Sequence, residues 1–291
     1  MRSMLALAFL APVCGCQPST PDAFSAPPQT PLFSSASSSF DIISTDVGFQ
    51  APAVMSAGTR RVVFENHGSR IHEAMLVKLP AGMSPQDYVA AVKAGSLFPD
   101  GALDYSGPGL TAPGERVEVW LKVDAGDYIL ICWNGDHATT TPVHPFTVID
   151  NGVTDDTPPV QDVVLKLHDF RFELQGTLEK GAQVIRVESV GPSMHEVDIY
   201  RLHDGKTLSD LKLWRKQEDT ARTPAMSSPA DAMGGLLDSH DVRRVTWIRR
   251  TFTPGHYVLH CEMPMPGIPS SAALEVTHAD VGMVQEFEIK P

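Results

Sequence analysis

One framework occurs twice in this chain, and that repetition limits the possible folds more than any other feature. Moving the first copy forward by 123 positions lays His72 on His195, Glu73 on Glu196, Gly68 on Gly191, Leu79 on Leu202 and Gly82 on Gly205. Ser84 and Asp87 then fall on Thr207 and Asp210. A shift of 129 lays Gly126, Tyr128, Leu130 and Cys132 on Gly255, Tyr257, Leu259 and Cys261. A shift of 141 lays His137 on His278, Ala138 on Ala279 and Phe146 on Phe287. The shift grows by six and then by twelve, so the second copy carries loop insertions while keeping the order of its elements.

Within the first copy the local signals are those of short strands. Residues 40–43 and 61–66 are strand-like, with β-branched and aromatic side chains, residues 71–79, 116–121, 128–132 and 145–149 read as further strands, and Ala125-Gly126-Asp127 makes a turn. Ser84 and Pro85 predict a helix start, with Ser84 as cap and Pro85 at the first helical position, and the helix ends near Gly95. Many short strands with one short helix per copy predict an all-β chain, two tandem Greek-key β-sandwiches. The expected boundaries are 40–150 for the first sandwich, 151–159 for a polar linker with Pro158 and Pro159, and 160–291 for the second.

The 291 residues suffice for two such units, and 42% hydrophobic content supports packed cores. A formal charge of −12 argues against nucleic acid as a partner. It suits attraction of a basic redox protein such as a cytochrome, although acidic surfaces commonly serve solubility alone. Residues 1–16 read as a secretion signal, with Arg2 ahead of an apolar run from Met4 to Ala11 that is too short to span a bilayer. Val13-Cys14-Gly15-Cys16 resembles a bacterial lipobox, with lipid on Cys16 and Cys14 as the alternative acceptor; plain secretion is the bland reading. A lipid there would tether the protein to a membrane surface at the periplasm or cell surface without a spanning helix. Residues 17–39, rich in Pro, Ser and Thr, read as a flexible tether. Cys132 and Cys261 remain beyond it; one disulfide is arithmetically possible, but both occupy matching places in the two copies, each followed by a His.

In the second copy, His195, Cys261, His278 and Met283 form a soft donor set: two imidazoles, a thiolate and a thioether, the combination of a trigonal copper site with a weak axial ligand. Tyr257, Leu259 and Cys261 share one strand face, so the thiol points to the core side. In the first copy, His72, Cys132 and His137 match three of the four, but Pro142 stands where Met283 does and offers no donor; Thr141 and His144 are nearby substitutes. Taken singly, a buried Cys is a small hydrophobe and a lone strand His a satisfied polar residue. An isolated His, then Gly-x-Tyr-x-x-x-Cys, then His with Met five further on, resembles the cupredoxin (blue copper) family over roughly residues 40–291. That resemblance implies an eight-stranded Greek-key sandwich and one-electron transfer at a type 1 copper. The departure is the loop of sixteen residues between Cys261 and His278, stiffened by Pro264, Pro266 and Pro269.

The expected function is a copper-binding electron carrier with one copper in the second half and an incomplete, possible second site in the first. Other readings stay open. His260, next to Cys261, resembles the histidine that carries electrons to a second copper in copper nitrite reductases, with His144, His240 and His256 as possible further ligands; its bland reading is a solvent-facing strand residue. No His-x-His pair is present, which disfavours a trinuclear oxidase cluster. Met263 and Met265 would suit copper delivery, or simple loop packing. Glu73 and Glu196 are expected to face away from the metal, in support of the ligands or in partner docking. A pair of structural sandwiches without metal is the remaining alternative.

Overall fold

The computed structural model describes residues 39–220, 227–267 and 276–291, with side chains 218–220 excepted. The first half contributes β1 (Ser39–Thr45), β2 (Gly48–Gln50), β3 (Val54–Ser56), β4 (Gly58–Asn66), β5 (Met75–Lys78), α1 (Pro85–Lys93), β6 (Leu103–Asp104), β7 (Arg116–Val123), β8 (Gly126–Ile131), α2 (His137–Thr140) and β9 (His144–Ile149). The second contributes β10 (Val163–His168), β11 (Arg171–Gln175), β12 (Gly181–Ser189), β13 (Val197–Leu202), α3 (Leu208–Thr220), β14 (Ala230–Leu236), β15 (Val245–Phe252), β16 (Gly255–His260) and β17 (Val284–Ile289). The chain is all-β, as its strand signals predict.

Each half is a sandwich, but the two share a sheet. One eight-stranded sheet runs β11-β10-β12-β15-β7-β4-β1-β2 through both halves. A five-stranded sheet, β3-β9-β8-β5-β6, covers it in the first half, and a four-stranded sheet, β14-β13-β16-β17, in the second. The junction is the antiparallel pairing of β15 with β7, with Trp247 opposite Trp120. The sequence reading treats the halves as separate units; the paired strands show them fused through a ladder of backbone hydrogen bonds. Buried Arg244 and Arg250 reinforce the seam by donating to the carbonyls of Lys122 and Arg116.

Side-chain alternation explains the layers. In β10, Val163, Leu165 and Leu167 are buried while their neighbours are half-exposed, the period-two pattern of a sheet with one covered face. In β8 the run Tyr128-Ile129-Leu130-Ile131 is buried on both faces. Tyr128 and Leu130 join the main core, whereas Ile129 and Ile131 pack with Tyr88 and Val92 of α1. Leu211 and Trp214 of α3 do the same for Tyr200 and Val258. The helices are lids on the outer faces of the central strands. Both start as their sequences predict. Ser84 Oγ accepts from the Asp87 amide (3.1 Å) and Asp87 returns to the Ser84 amide (2.9 Å); Thr207 and Asp210 repeat the exchange. Such caps contribute about 1 kcal/mol each.

Two expectations need correction. The strand expected over residues 71–79 is regular only over Met75–Lys78. His72 instead exchanges backbone hydrogen bonds with Thr111, and Ala74 donates to Pro108, so this stretch leaves the ladder of β8 and pairs with a loop. The helix of the second half is not short: α3 runs thirteen residues. Residues 151–159 carry no strand or helix, and buried Arg60 holds them by donating to the carbonyls of Val153 (3.0 Å) and Thr154 (2.8 Å). Among the described residues no helix is long and apolar enough to cross a membrane.

Candidate metal centres

Three strand ends build the centre of the second half. His195 enters just before β13, Cys261 follows the last residue of β16, and His278 returns on the segment leading to β17. His195 Nδ1 lies 3.1 Å from His278 Nδ1, and Cys261 Sγ lies 3.4 Å from His278 Nδ1. Single donor atoms of the three all fall within 4.8 Å of one another, and all three side chains are buried. Met283 is fully buried in the same core cluster as Cys261, and its amide donates to the His278 carbonyl (2.9 Å). The base of the long loop is pinned, because His278 donates to the Met263 carbonyl (2.8 Å) and Ala279 to the Cys261 carbonyl (2.9 Å). Residues 268–275 of that loop lie outside the described residues, and so does Cys16, the expected lipid site.

Behind His195 stands a carboxylate that the sequence reading overlooked. Asp169 Oδ1 accepts from His195 Nε2 at 2.9 Å, which leaves the Nδ1 lone pair for a metal. Burial pushes the Asp169 carboxyl up, but this bond and the Ser193 amide outweigh it, and the group stays below the usual carboxylate range. Asp169 sits at the β10–β11 turn, next to Phe170 in the left-handed region (φ 61°), whose ring stands edge-on to His278 at 4.9 Å. Gly191 passes so close to this pair that a Cβ there would clash with Asp169 and come within 3.0 Å of His195 Nε2.

The first half repeats the frame. His72 Nε2 lies 3.1 Å from Asp46 Oδ1, Cys132 Sγ lies 3.2 Å from His137 Nδ1, and the His72 and His137 rings stack at 4.5 Å. These three donors also converge within 4.8 Å, all buried. Gly68 plays the part of Gly191, 2.8 Å from His72 Nε2 were it to carry a Cβ. Asp46 and Asp169 are themselves related by the shift of 123, so the repeat held the signal that would have found them. His144 does not join the first centre's donor group and opens β9 opposite Leu130; Thr141 follows α2, its amide donating to the His137 carbonyl (2.8 Å).

Electrostatics suit a cation at both centres. Burial, then the neighbouring imidazole, pushes His278 and His137 down to about 4, so both rings are neutral ligands at neutral pH. Burial also pushes the Cys261 and Cys132 thiols far above their ordinary value. A thiolate forms there only against a metal charge, which deprotonates a coordinating thiol. The two cysteines are free and buried in separate centres, so the possible disulfide is not made.

Glu73 and Glu196 do face away from the donors, and they are buried rather than set for docking. Glu196 Oε1 accepts from the Glu262 amide and Glu73 Oε1 from the Trp133 amide, both at 2.8 Å, so each Glu fixes the residue after its own half's Cys. His260 is 1% exposed, which overturns the solvent-facing reading. Its Nδ1 lies 3.0 Å from Glu262 Oε1, and it joins no further histidine in a donor group among the described residues. His240 Nδ1 donates to the Asp104 carbonyl (2.6 Å), and His256 is exposed. Met263 is buried in the core, the loop-packing reading of that residue.

Both halves are therefore β-sandwiches that each bring one buried His/Cys/His donor set together. No protein-family model matches the chain, and no curated protein matches it. Among solved structures it is similar to auracyanin from Roseiflexus castenholzii (20% identity over 40% of this chain and 99% of that one, TM-score 0.27). It is similar to a blue copper oxidase from Nitrosomonas europaea (15% identity, 86% and 85% covered, TM-score 0.25). A copper-containing nitrite reductase from Thermus scotoductus is a third (12% identity, 86% and 61% covered, TM-score 0.23). At these TM-scores the likenesses carry no argument, and the functional reading rests on the geometry of the two centres.

Proposed function

We propose that this protein is a copper-binding electron carrier, with a type 1 copper held by His195, Cys261 and His278 and an axial contact from Met283. The convergence of two Nδ1 atoms and one thiol in a buried pocket, with Asp169 holding the remote nitrogen of His195, carries this reading. Such a donor set accepts both copper oxidation states, which permits one-electron exchange with little rearrangement. The chain's own part is to keep the imidazoles neutral, to exclude water and to fix the ligand positions through strand ends and backbone bonds. The first centre holds copper through His72, Cys132 and His137 with a weaker or different axial contact. A basic redox protein is the partner that the acidic surface suits, and the N-terminal segment is the means of tethering at the cell envelope.

The test is metal analysis, visible absorption and spin resonance on the full chain loaded with Cu(II). An intense visible thiolate-to-copper band that disappears in Cys261→Ser supports the carrier. A colourless Cu(II) protein overturns it. The second reading, a reductase or oxidase with a further copper at His260, is favoured by one observation: this buried ring's Nε2 has no hydrogen-bond partner among the described residues. It requires a copper content above that of the two centres and turnover with nitrite or oxygen.

A further inference from the structure

Between the two sandwiches lies a cavity of about 310 Å³ that neither metal centre uses. Its walls combine two chemistries. Trp133, Met75, Leu110 and Leu237 supply apolar surface. Six carboxyl side chains, Glu73, Asp104, Glu196, Asp198, Asp238 and Glu262, face the same space with Arg215 as the one cationic residue lining it. Arg215 is already engaged, at 3.5 Å from Glu262 Oε1 and 3.1 Å from Asn134 Oδ1. Its charge also reaches Asp198, whereas the charged neighbour that weighs most on Asp238 is another carboxyl, Asp104. Glu73, Glu196 and Asp198 each accept one backbone amide. Asp238 differs: it is 5% exposed, lines the cavity, and its Oδ2 has no hydrogen-bond partner among the described residues. A buried carboxyl oxygen with nothing to bind is a vacancy for a donor.

We propose that this cavity binds a small organic cation, an alkylammonium group with an apolar body. The ammonium would meet Asp238 and Asp104, and the hydrocarbon would lie against Trp133 and Leu237. A bare divalent metal ion fits less well. Among the described residues, the groups whose donors converge closely enough for an ion are the two His/Cys/His sets, and no trio of these carboxyls is one of them. Apolar walls also serve a hydrocarbon better than an ion that keeps its waters. The wall reaches the surface at Phe98, which is 48% exposed. Burial pushes Asp104 and Asp198 up to about 6 and Asp238 well above its ordinary value, which an incoming cation would relieve.

The test is calorimetric titration of the full chain with butylammonium, with butan-1-ol as the neutral isostere and Mn²⁺ as the metal probe. The expected result is one butylammonium per chain, butan-1-ol at least tenfold weaker, and at least a tenfold loss in Asp238→Asn while exposed Asp204→Asn binds normally. Asp104→Asn provides a second variant if Asp238→Asn does not fold. Equal binding of the alcohol, unchanged affinity in the cavity variants, or displacement of butylammonium by Mn²⁺ at Asp238 overturns the assignment.

Discussion

The two candidate metal centres share a frame and differ at its open end. In each, an Asp at a turn holds the remote nitrogen of the first His, a Gly lets the backbone pass, and a Glu fixes the amide after the Cys. The differences lie in the loop that returns the second His, four residues long in the first half and sixteen in the second, and in the residue five positions beyond, Pro142 against Met283. At the two centres, the donors and supports held by strand ends and turns were kept, while the position carried by the returning loop diverged. The frame makes three donors converge regardless of loop length, so the loop is left to set the fourth.

The sharpest way to break this comparison is at the thiols. Cys261→Ser should abolish the visible charge-transfer band of the copper-loaded chain, whereas Cys132→Ser should leave most of it; an equal loss in both would make the centres equivalent. Next come the carboxylates of the shared frame. Asp169→Asn and Asp46→Asn should each weaken copper binding at their own centre by roughly 10- to 100-fold, the usual effect of losing such a partner, read by competition with a chromophoric chelator. An effect at one centre alone would show that the frame is not shared in function. Gly191→Ala and Gly68→Ala should each destabilise the chain by about 1–3 kcal/mol in denaturant unfolding, because a Cβ forces the Asp–His pair apart. The open end is probed by Met283→Leu, which would remove the proposed axial donor, a loss of electron donation that costs the more electron-poor Cu(II) more than Cu(I). The potential should rise by roughly 60 mV, a tenfold change for one electron, by voltammetry.

The smallest effect concerns the cavity side, where the repeat breaks again: Asp198 faces the cavity and Met75 occupies the matching place in the first half. Asp198 titrates at about 6 in the folded chain because of burial, and near 3.9 when unfolded. The folded state thus holds the extra proton, and this contribution to stability is present below about pH 4 and lost as pH rises through about 6. Asp198→Asn has no such loss. It should exceed the native chain in stability by on the order of 1 kcal/mol at pH 8, with the difference vanishing near pH 4, by urea unfolding.

Much of this was legible in the chain. The strand signals and helix caps are local, so Ser84, Pro85 and Asp87 announced α1 directly. The donor sets followed from repetition, since His195, Cys261 and His278 mean little alone but match His72, Cys132 and His137. Asp46 and Asp169 were also encoded at the repeat interval, yet an Asp in a polar turn looks like ordinary turn chemistry until its carboxylate is seen against an imidazole. His260 was misjudged because strand alternation gives a side, not what covers that side; here it is 1% exposed, with the Tyr200 ring and Glu262 beside it.

What the sequence determined by itself is the all-β class, the doubled framework and the His, Cys and His of each half that come together, because period, turn residues and repeat spacing are properties of neighbours along the chain. What only the tertiary structure decided is the shared eight-stranded sheet and the charged cavity between the halves. Both arise from residues more than a hundred positions apart, such as Trp120 with Trp247 and Glu73 with Asp238, whose meeting depends on how two sandwiches dock, and no local pattern records that.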